Sequence, residues 1–276
     1  MNVIPFSKKG VFPWKDAFFV ARILVWVAAI NAFWVIQPVF ARCLPESMDE
    51  YVSVHSIVDG DTIRLTDRKL VRMIGLNTPE IGHDGAVSQP LAGAAKEFLT
   101  TLVSSGQRFG LVYESDVKDR HGRRLAHVLV HNGDTWQNAQ QLLLENGLAF
   151  WIAIPPNTGF LECYQVAEAT AQKKRLGLWD EVYFQPKNAA DVNVLSPGFQ
   201  LLQGTITETF ETKNSYFLKF NDTVALRIAN KDIHYFQQAE LNALKGKAIL
   251  ARGWLYRHKD HLTMQIRHPD SIQLRP

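Results

Sequence analysis

The apolar positions of this chain change their spacing several times, and each change marks an element. From Tyr51 the spacing is strand-like. Residues 51–58, 61–66 and 70–76 are short runs rich in β-branched and aromatic side chains, parted by Asp59-Gly60 and Asp67-Arg68 as turns. Leu91, Ala94, Ala95, Phe98, Leu99 and Leu102 then repeat at three and four, which predicts an amphipathic helix over 91–103. Strands over 107–114 and 125–131 follow. A helix is expected from Asp134 to 145, stopped by Asn146-Gly147, and another over 161–175, ended by Gly177. Five short strands with interspersed helices predict a mainly β fold with α (α+β), built on a five-stranded barrel of the OB type over 42–187.

Residues 188–199, with Asn188, Asp191, Asn193, Ser196, Pro197 and Gly198, read as a linker. Beyond it the strand rhythm returns over 201–209, 216–220 and 224–229, then a helix over 232–244, then strands over 247–257 and 262–267. The order β-β-β-α-β-β fits a second small OB-like barrel over 200–276. Length agrees, since 276 residues at roughly 150 per domain make about two.

The first forty residues follow another rule. The densest apolar run, 23–36, is interrupted only by Asn31 and preceded by Lys8, Lys9 and Lys15. Its length at ~1.5 Å per residue is about 21 Å, short of a ~30 Å hydrocarbon core. A basic start, a short apolar run and the small residue ending Val39-Phe40-Ala41 read as a signal peptide over 1–41, which makes the rest secreted or periplasmic. The alternatives are an uncleaved membrane anchor over 17–36, with the remainder outside the cytoplasm, and a buried helix of a soluble domain. Cys43 and Cys163, the two cysteines, both follow the cleavage point. They can form one disulfide, or Cys163 can pack as a small apolar side chain. Neither belongs to a CxxC pair, which argues against a zinc cluster.

A composition of 46% hydrophobic and 21% charged residues excludes wholesale disorder. The net charge of +3 is too small to announce a polyanion binder, but it is uneven. Residues 1–41 carry four basic side chains against one acidic, 42–187 fifteen against eighteen, and 188–276 eleven against eight. A mildly acidic central block that handles a polyanion needs local cationic clusters or a bound cation.

One constellation in that block carries chemistry. Asp59-Gly60-Asp61-Thr62 is followed by Arg72, by Asn77-Thr78-Pro79-Glu80 and by Gly122-Arg123. Hydrolysing a phosphodiester requires a group that activates water and positive charge to meet the developing anion. Asp61 follows a glycine turn at a strand start. Glu80 follows Pro79, which stiffens its backbone. Arg72 lies beside Met73 and Ile74 on an apolar strand, where an arginine is costly unless it meets an anion. Arg123 sits in a glycine turn, and two guanidinium forks suit a pentacoordinate phosphorus.

These four pieces, with the closing Gly177-Leu178-Trp179, resemble the staphylococcal nuclease-like (thermonuclease) family over 52–179. The resemblance implies a calcium-dependent endonuclease that hydrolyses DNA and RNA and leaves 3′-phosphate ends. It makes Glu80 the general base and Arg72 and Arg123 the phosphate clamps. It makes Asp61, Asn77 and the Thr78 carbonyl the ligands of Ca²⁺, an oxygen-only set that suits a hard cation. Asp59, Gly60, Thr62 and Gly122 support the ligands or shape the turns, and Asp119 and Arg120 shape the loop before Gly122.

Two places depart from the family pattern. Asn77 stands where aspartate is usual, which removes a charge, weakens Ca²⁺ binding and admits other divalent ions. The segment FWIAIPPN, 150–157, lacks the expected tyrosines, leaving Trp151 as a stacking surface for nucleic acid or as core packing. In the second half, strand alternation places Arg252, Trp254 and Tyr256 on one face, a platform for single-stranded nucleic acid or a docking surface. Two rivals stand beside the nuclease: a binding module without catalysis, suggested by Asn77, and a membrane-tethered interaction protein. Nothing in the sequence calls for a protein partner.

Overall fold

The Ile63-Leu65 and Val71-Met73 alternations turn every second side chain inward, and they seed the core of the first lobe. The computed structural model describes residues 43–82, 84–106, 108–192, 198–258 and 260–275. The signal and anchor readings of 1–41 lie outside these. No helix among the described residues is long and apolar enough to cross a membrane.

The first lobe comprises β1 (Glu50–Val52), β2 (Val54–Asp59), β3 (Thr62–Leu65), β4 (Leu70–Met73), β5 (Leu76–Asn77), α1 (Ala92–Ser105), β6 (Arg108–Val112), β7 (Arg124–His131), β8 (Trp136–Asn138), α2 (Ala139–Glu145), β9 (Phe150–Trp151) and α3 (Leu161–Lys174). The fold is mainly β with few helices. Instead of the expected five-stranded barrel, the sheet has seven strands in the order β1-β6-β7-β4-β3-β2, with β8 on β7, and its hydrogen-bonded path stays open. The reason lies at Ser53. There one run of chain changes partners, β1 pairing with β6 and β2 with β3. Irregularities at Val54/Ser56 and Ile57/Asp59 bend β2 further. β4 and β7 pair in parallel, and β5 and β9 form a separate two-stranded ladder.

α1 buries Ala95 and Leu99 of the predicted stripe and packs Phe98 and Leu102 partly against the core, but Ala94 is exposed and Ala92, outside the stripe, is buried in the first turn. The helix expected from Asp134 begins later. Residues 136–138 form β8 on the edge of β7, and the Asn138 side chain accepts from Gln141 N at 3.1 Å to cap α2. α3 ends at Arg175 in the left-handed region, with Lys173 and Lys174 in the last turn where the dipole favours cations. Cys43 and Cys163 are joined in a disulfide with their Cα atoms 5.7 Å apart. Cys43 is held again by α2 and its cap, donating its N–H to Gln141 and accepting at its carbonyl from Asn138.

The second lobe comprises β10 (Lys187–Asn188), β11 (Gly198–Thr205), β12 (Glu208–Thr212), β13 (Ser215–Lys219), β14 (Val224–Ala229), α4 (Gln238–Ala243), β15 (Ala248–His258), β16 (His261–Ile266) and β17 (Ile272–Leu274). Its order is β10-β11-β15-β16-β14-β13-β12, with β17 on β15, again an open path. The strand expected over 201–209 breaks at Ile206-Thr207 and changes partners, as the first lobe does at Ser53. The helix expected over 232–244 is a 3₁₀ turn, Ile233–Tyr235, then α4, because Phe236 is extended. The stretch read as a linker contributes Asn188 of β10, the buried Ala189 and the first two residues of β11.

Each lobe has its own apolar core. A third cluster joins them, with Phe150 and Leu178 of the first lobe against Leu201, Phe199 and Leu250 of the second. Phe150 contacts the rings of Trp179 and Phe199 at 5.1 and 5.2 Å.

Candidate active site

The turn between β2 and β3 is pressed against α1. A Cβ on Gly60 would stand 2.8 Å from both the Ala95 Cβ and the Thr78 Oγ1, so glycine is needed for close approach. The Asp59 carboxylate accepts from Asp61 N at 3.1 Å, and Met73 N donates to Asp61 O at 2.8 Å, which fixes Asp61 beside β4. Asp61 is buried, and its carboxylate accepts from Thr62 Oγ1 at 3.1 Å and Thr78 N at 3.3 Å.

Arg72, opposite Thr62 on β4, forms an ion pair with Asp61. Its Nη2 donates to Asn77 Oδ1 at 3.2 Å and to Leu76 O at 3.4 Å. Burial pushes the Arg72 pKa down to about 10 against the pull of Asp59, and the group stays cationic at neutral pH. Asn77 donates through Nδ2 to Thr78 O at 3.2 Å. The Asp61 carboxylate and the Asn77 carbonyl oxygen therefore both meet the Arg72 charge, and the Thr78 carbonyl is tied to them through the Asn77 amide. These hard oxygen donors fit a calcium-type cation in kind. The set contains one carboxylate, and no group of three or more His, Cys, Asp or Glu is placed to hold a metal among the described residues.

Glu80 is exposed. Its backbone is braced twice by Gln89, which accepts from Glu80 N and donates to Glu80 O, both at 2.9 Å. Its carboxylate makes no ion pair among the described residues and lines the groove. Arg123 follows Gly122, whose φ of 79° makes the turn. Arg123 Nε donates to Asp119 at 2.7 Å, and its N–H donates to the same carboxylate at 2.9 Å. Burial works to raise the Asp119 pKa, but these bonds and one from His121 N outweigh it and lower the value.

Asp59, Asp61, Arg72, Asn77, Glu80 and Arg123 line one groove of about 1070 Å³. The second lobe also lines it, with Phe199, Trp254 and Tyr256 among its contributions. Two expectations are corrected here. Trp151 is 2% exposed and packs in the first core, so it offers no stacking surface. Arg252 is 5% exposed and turned away from solvent. Its guanidinium lies 3.9 Å from the centroid of the Trp151 ring and pairs at 2.9 Å with the buried Glu168. Glu168 Oε2 also accepts from Trp151 N at 2.8 Å. Burial raises the Glu168 pKa, with Arg252 pulling it back.

Sequence reasoning missed Glu168, the Gln89 brace and the direct Asp119–Arg123 pair. Glu168 had a signal. Leu161, Tyr164, Glu168 and Ala171 fall at helical spacing on the buried face of α3, and an acid there demands a partner. The Asp119–Arg123 pair lies at four residues' separation across a turn, where spacing alone does not show contact.

A mainly β scaffold with two arginines, a braced carboxylate and an oxygen-donor knot around one open groove has the parts of a phosphodiester hydrolase. Residues 70–181 match the family described as Staphylococcal nuclease homologue. The chain is 34% identical over 145 residues to a thermonuclease of Staphylococcus intermedius, covering 51% of this chain and 83% of that protein. It is 31% identical over 140 residues to a thermonuclease of Staphylococcus hyicus, covering 49% and 79%. With endonuclease YhcR of Bacillus subtilis it shares 32% identity over 149 residues, 50% of this chain but 12% of that longer protein. The chain belongs to the staphylococcal nuclease-like family. Its second lobe, from β11 onward, lies outside the residues matched to that family.

Proposed function

We propose that this chain is a calcium-dependent endonuclease that hydrolyses DNA and RNA and leaves 3′-phosphate ends. The observation that carries the reading is the convergence of Arg72, Arg123, Glu80 and Asp61 on one groove. Glu80, held by Gln89 and with no ion pair among the described residues, takes the proton of the attacking water. The water oxygen bonds to phosphorus, the P–O5′ bond breaks with its electron pair going to O5′, which takes up a proton from solvent, and the phosphate stays on the 3′ side. Arg72 and Arg123 bind the phosphate oxygens and meet the charge that grows there. In the resting site both are parked on carboxylates, Arg72 on Asp61 and Arg123 on Asp119, which keeps them ordered before substrate arrives. Asp61, Asn77 and the Thr78 carbonyl would hold Ca²⁺, which when bound supplies further positive charge at the phosphate.

The second lobe is read as an OB-like accessory domain, which the matching strand order and broken first strand of the two sheets support. The basic and apolar start of the chain and the Cys43–Cys163 bridge support a secreted or periplasmic location, or a chain anchored through 17–36.

The test is cleavage of plasmid DNA and single-stranded RNA with Ca²⁺, Mg²⁺ or EDTA, beside Glu80→Gln. Calcium-dependent cleavage that falls ~10²–10⁴-fold in the variant is expected. Folded protein that cleaves neither substrate with any ion would end the enzyme reading and leave nucleic-acid binding without catalysis.

A further inference from the structure

The groove that holds the proposed catalytic residues is also lined by the second lobe, which the family match does not reach. Among the described residues its contribution to the lining holds three cationic side chains, Lys231, Arg252 and Arg267, and no carboxylate. The five carboxylates of the groove, from Asp59 to Asp119, all come from the first lobe. Two of the three cations are committed. Arg252 is paired with Glu168, and Arg267 donates to Asp232 and to the Pro155 carbonyl. Lys231 is exposed and makes no ion pair among the described residues.

Trp254 and Tyr256 of that lobe line the same groove. β15 alternates, so Arg252, Trp254 and Tyr256 share a face. Arg252 turns down into the lobe contact, while Trp254 remains 37% exposed. The Phe199 ring meets Trp254 at 5.2 Å and 75°, edge to face, which holds the indole upright without covering it. Tyr256 is half-buried two residues along. An exposed indole and an exposed lysine that line the same groove, where the second lobe adds no carboxylate among the described residues, complement a base and its phosphate. A duplex hides its base faces inside the stack, so the indole has a partner only in an unpaired strand.

From this juxtaposition we infer that Trp254, supported by Tyr256 and Lys231, is a stacking platform that holds unpaired bases of the substrate strand in the groove of the catalytic groups and favours single-stranded over duplex nucleic acid. The inference deepens the nuclease reading and rests on it for the identity of the strand. It gives the second lobe a role in substrate choice, while the first lobe carries the chemistry.

The test is binding of a fluorescent single-stranded 20-mer and of a hairpin duplex, by anisotropy, to the full chain in the Glu80→Gln background with calcium present. Trp254→Ala should weaken single-strand binding about tenfold and change duplex binding less than twofold. Trp254→Phe, which keeps a ring, should restore most of it. Tyr183→Ala, an exposed ring outside the groove, should change neither. Equal affinity for the single strand after Trp254→Ala, or equal losses on strand and duplex, would overturn the platform. The parent chain's KM for the single strand, with and without Trp254→Ala, separates the two proposals. Cleavage with an unchanged KM keeps the nuclease and removes the platform. No cleavage, with binding that still depends on Trp254, does the reverse.

Discussion

The Arg72 guanidinium donates to Asn77 Oδ1 at 3.2 Å, so the asparagine read as a departure from the family pattern is held by the arginine proposed to clamp the phosphate. An aspartate at this position would add a negative charge and remove the amide that now engages the Thr78 carbonyl. Asn77→Asp should therefore lower the calcium concentration for half-maximal cleavage, on the order of tenfold. A calcium titration of activity, with calorimetric binding beside it, reads this directly. An unchanged or higher requirement would place the cation elsewhere.

The buried pair between the lobes makes a second prediction. Glu168 and Arg252 are almost fully buried, and each satisfies the other. Glu168→Leu leaves the Arg252 charge without a partner and should cost about 3–5 kcal/mol of stability. Glu168→Leu with Arg252→Met should recover most of that loss, because an apolar pair of similar volume needs no counter-ion. Denaturant unfolding of the two single variants and the double variant measures the coupling. Additive losses would show that the pair acts as two independent residues.

Acid stability follows from His127. Its Nε2 lies 2.7 Å from Glu114 and its Nδ1 2.7 Å from the Tyr164 hydroxyl. Burial lowers its pKa below the ordinary 6.5, with Glu114 opposing. The unfolded chain therefore takes up the proton first. Stability is full above about pH 6.5 and is lost as pH falls from there through the lowered folded value. Glu114 acts in the same direction at lower pH. Burial tends to raise its pKa, but the His127 and Gly159 hydrogen bonds outweigh burial and lower it. The melting temperature should fall on acidification from pH 7 to 5, and the fall should be smaller in His127→Gln. Parallel curves for the two proteins would remove His127 as the cause.

The Cys43–Cys163 bridge closes a loop with a sequence separation of 120. Replacing both cysteines by serine should cost about 2–5 kcal/mol, mainly through the unfolded chain's added freedom. Thermal unfolding of oxidised protein and the double variant checks this. Equal midpoints would mean that the hydrogen bonds of Cys43 to Gln141 and Asn138 already hold that end.

Much of the first lobe is legible in the sequence because its signals are local. The period of α1 and the alternation of β3 and β4 need no knowledge of the rest of the chain. Asp59 to Thr62, Arg72 and Glu80 follow one another closely enough for motif spacing to place them. What the sequence hides depends on partners far away. Ser53 looks like any strand residue until β1 and β2 are seen to pair with different neighbours. Trp151 and Arg252 each invite a nucleic-acid role when read alone. They lie 101 residues apart, and their contact removes both from solvent. Asp134 looks like a helix start because the competing edge of β7 is invisible at that range.

The disulfide also changes what a protease can do to this molecule. Residues 43–163 form a covalent ring that includes Asp61, Arg72, Asn77, Glu80 and Arg123. A single cut anywhere within it opens the backbone but releases no fragment. Nicked chains should keep their full mass on a non-reducing gel and separate into two pieces only when the bridge is reduced. All the proposed catalytic side chains thus remain one linked body after a first proteolytic hit.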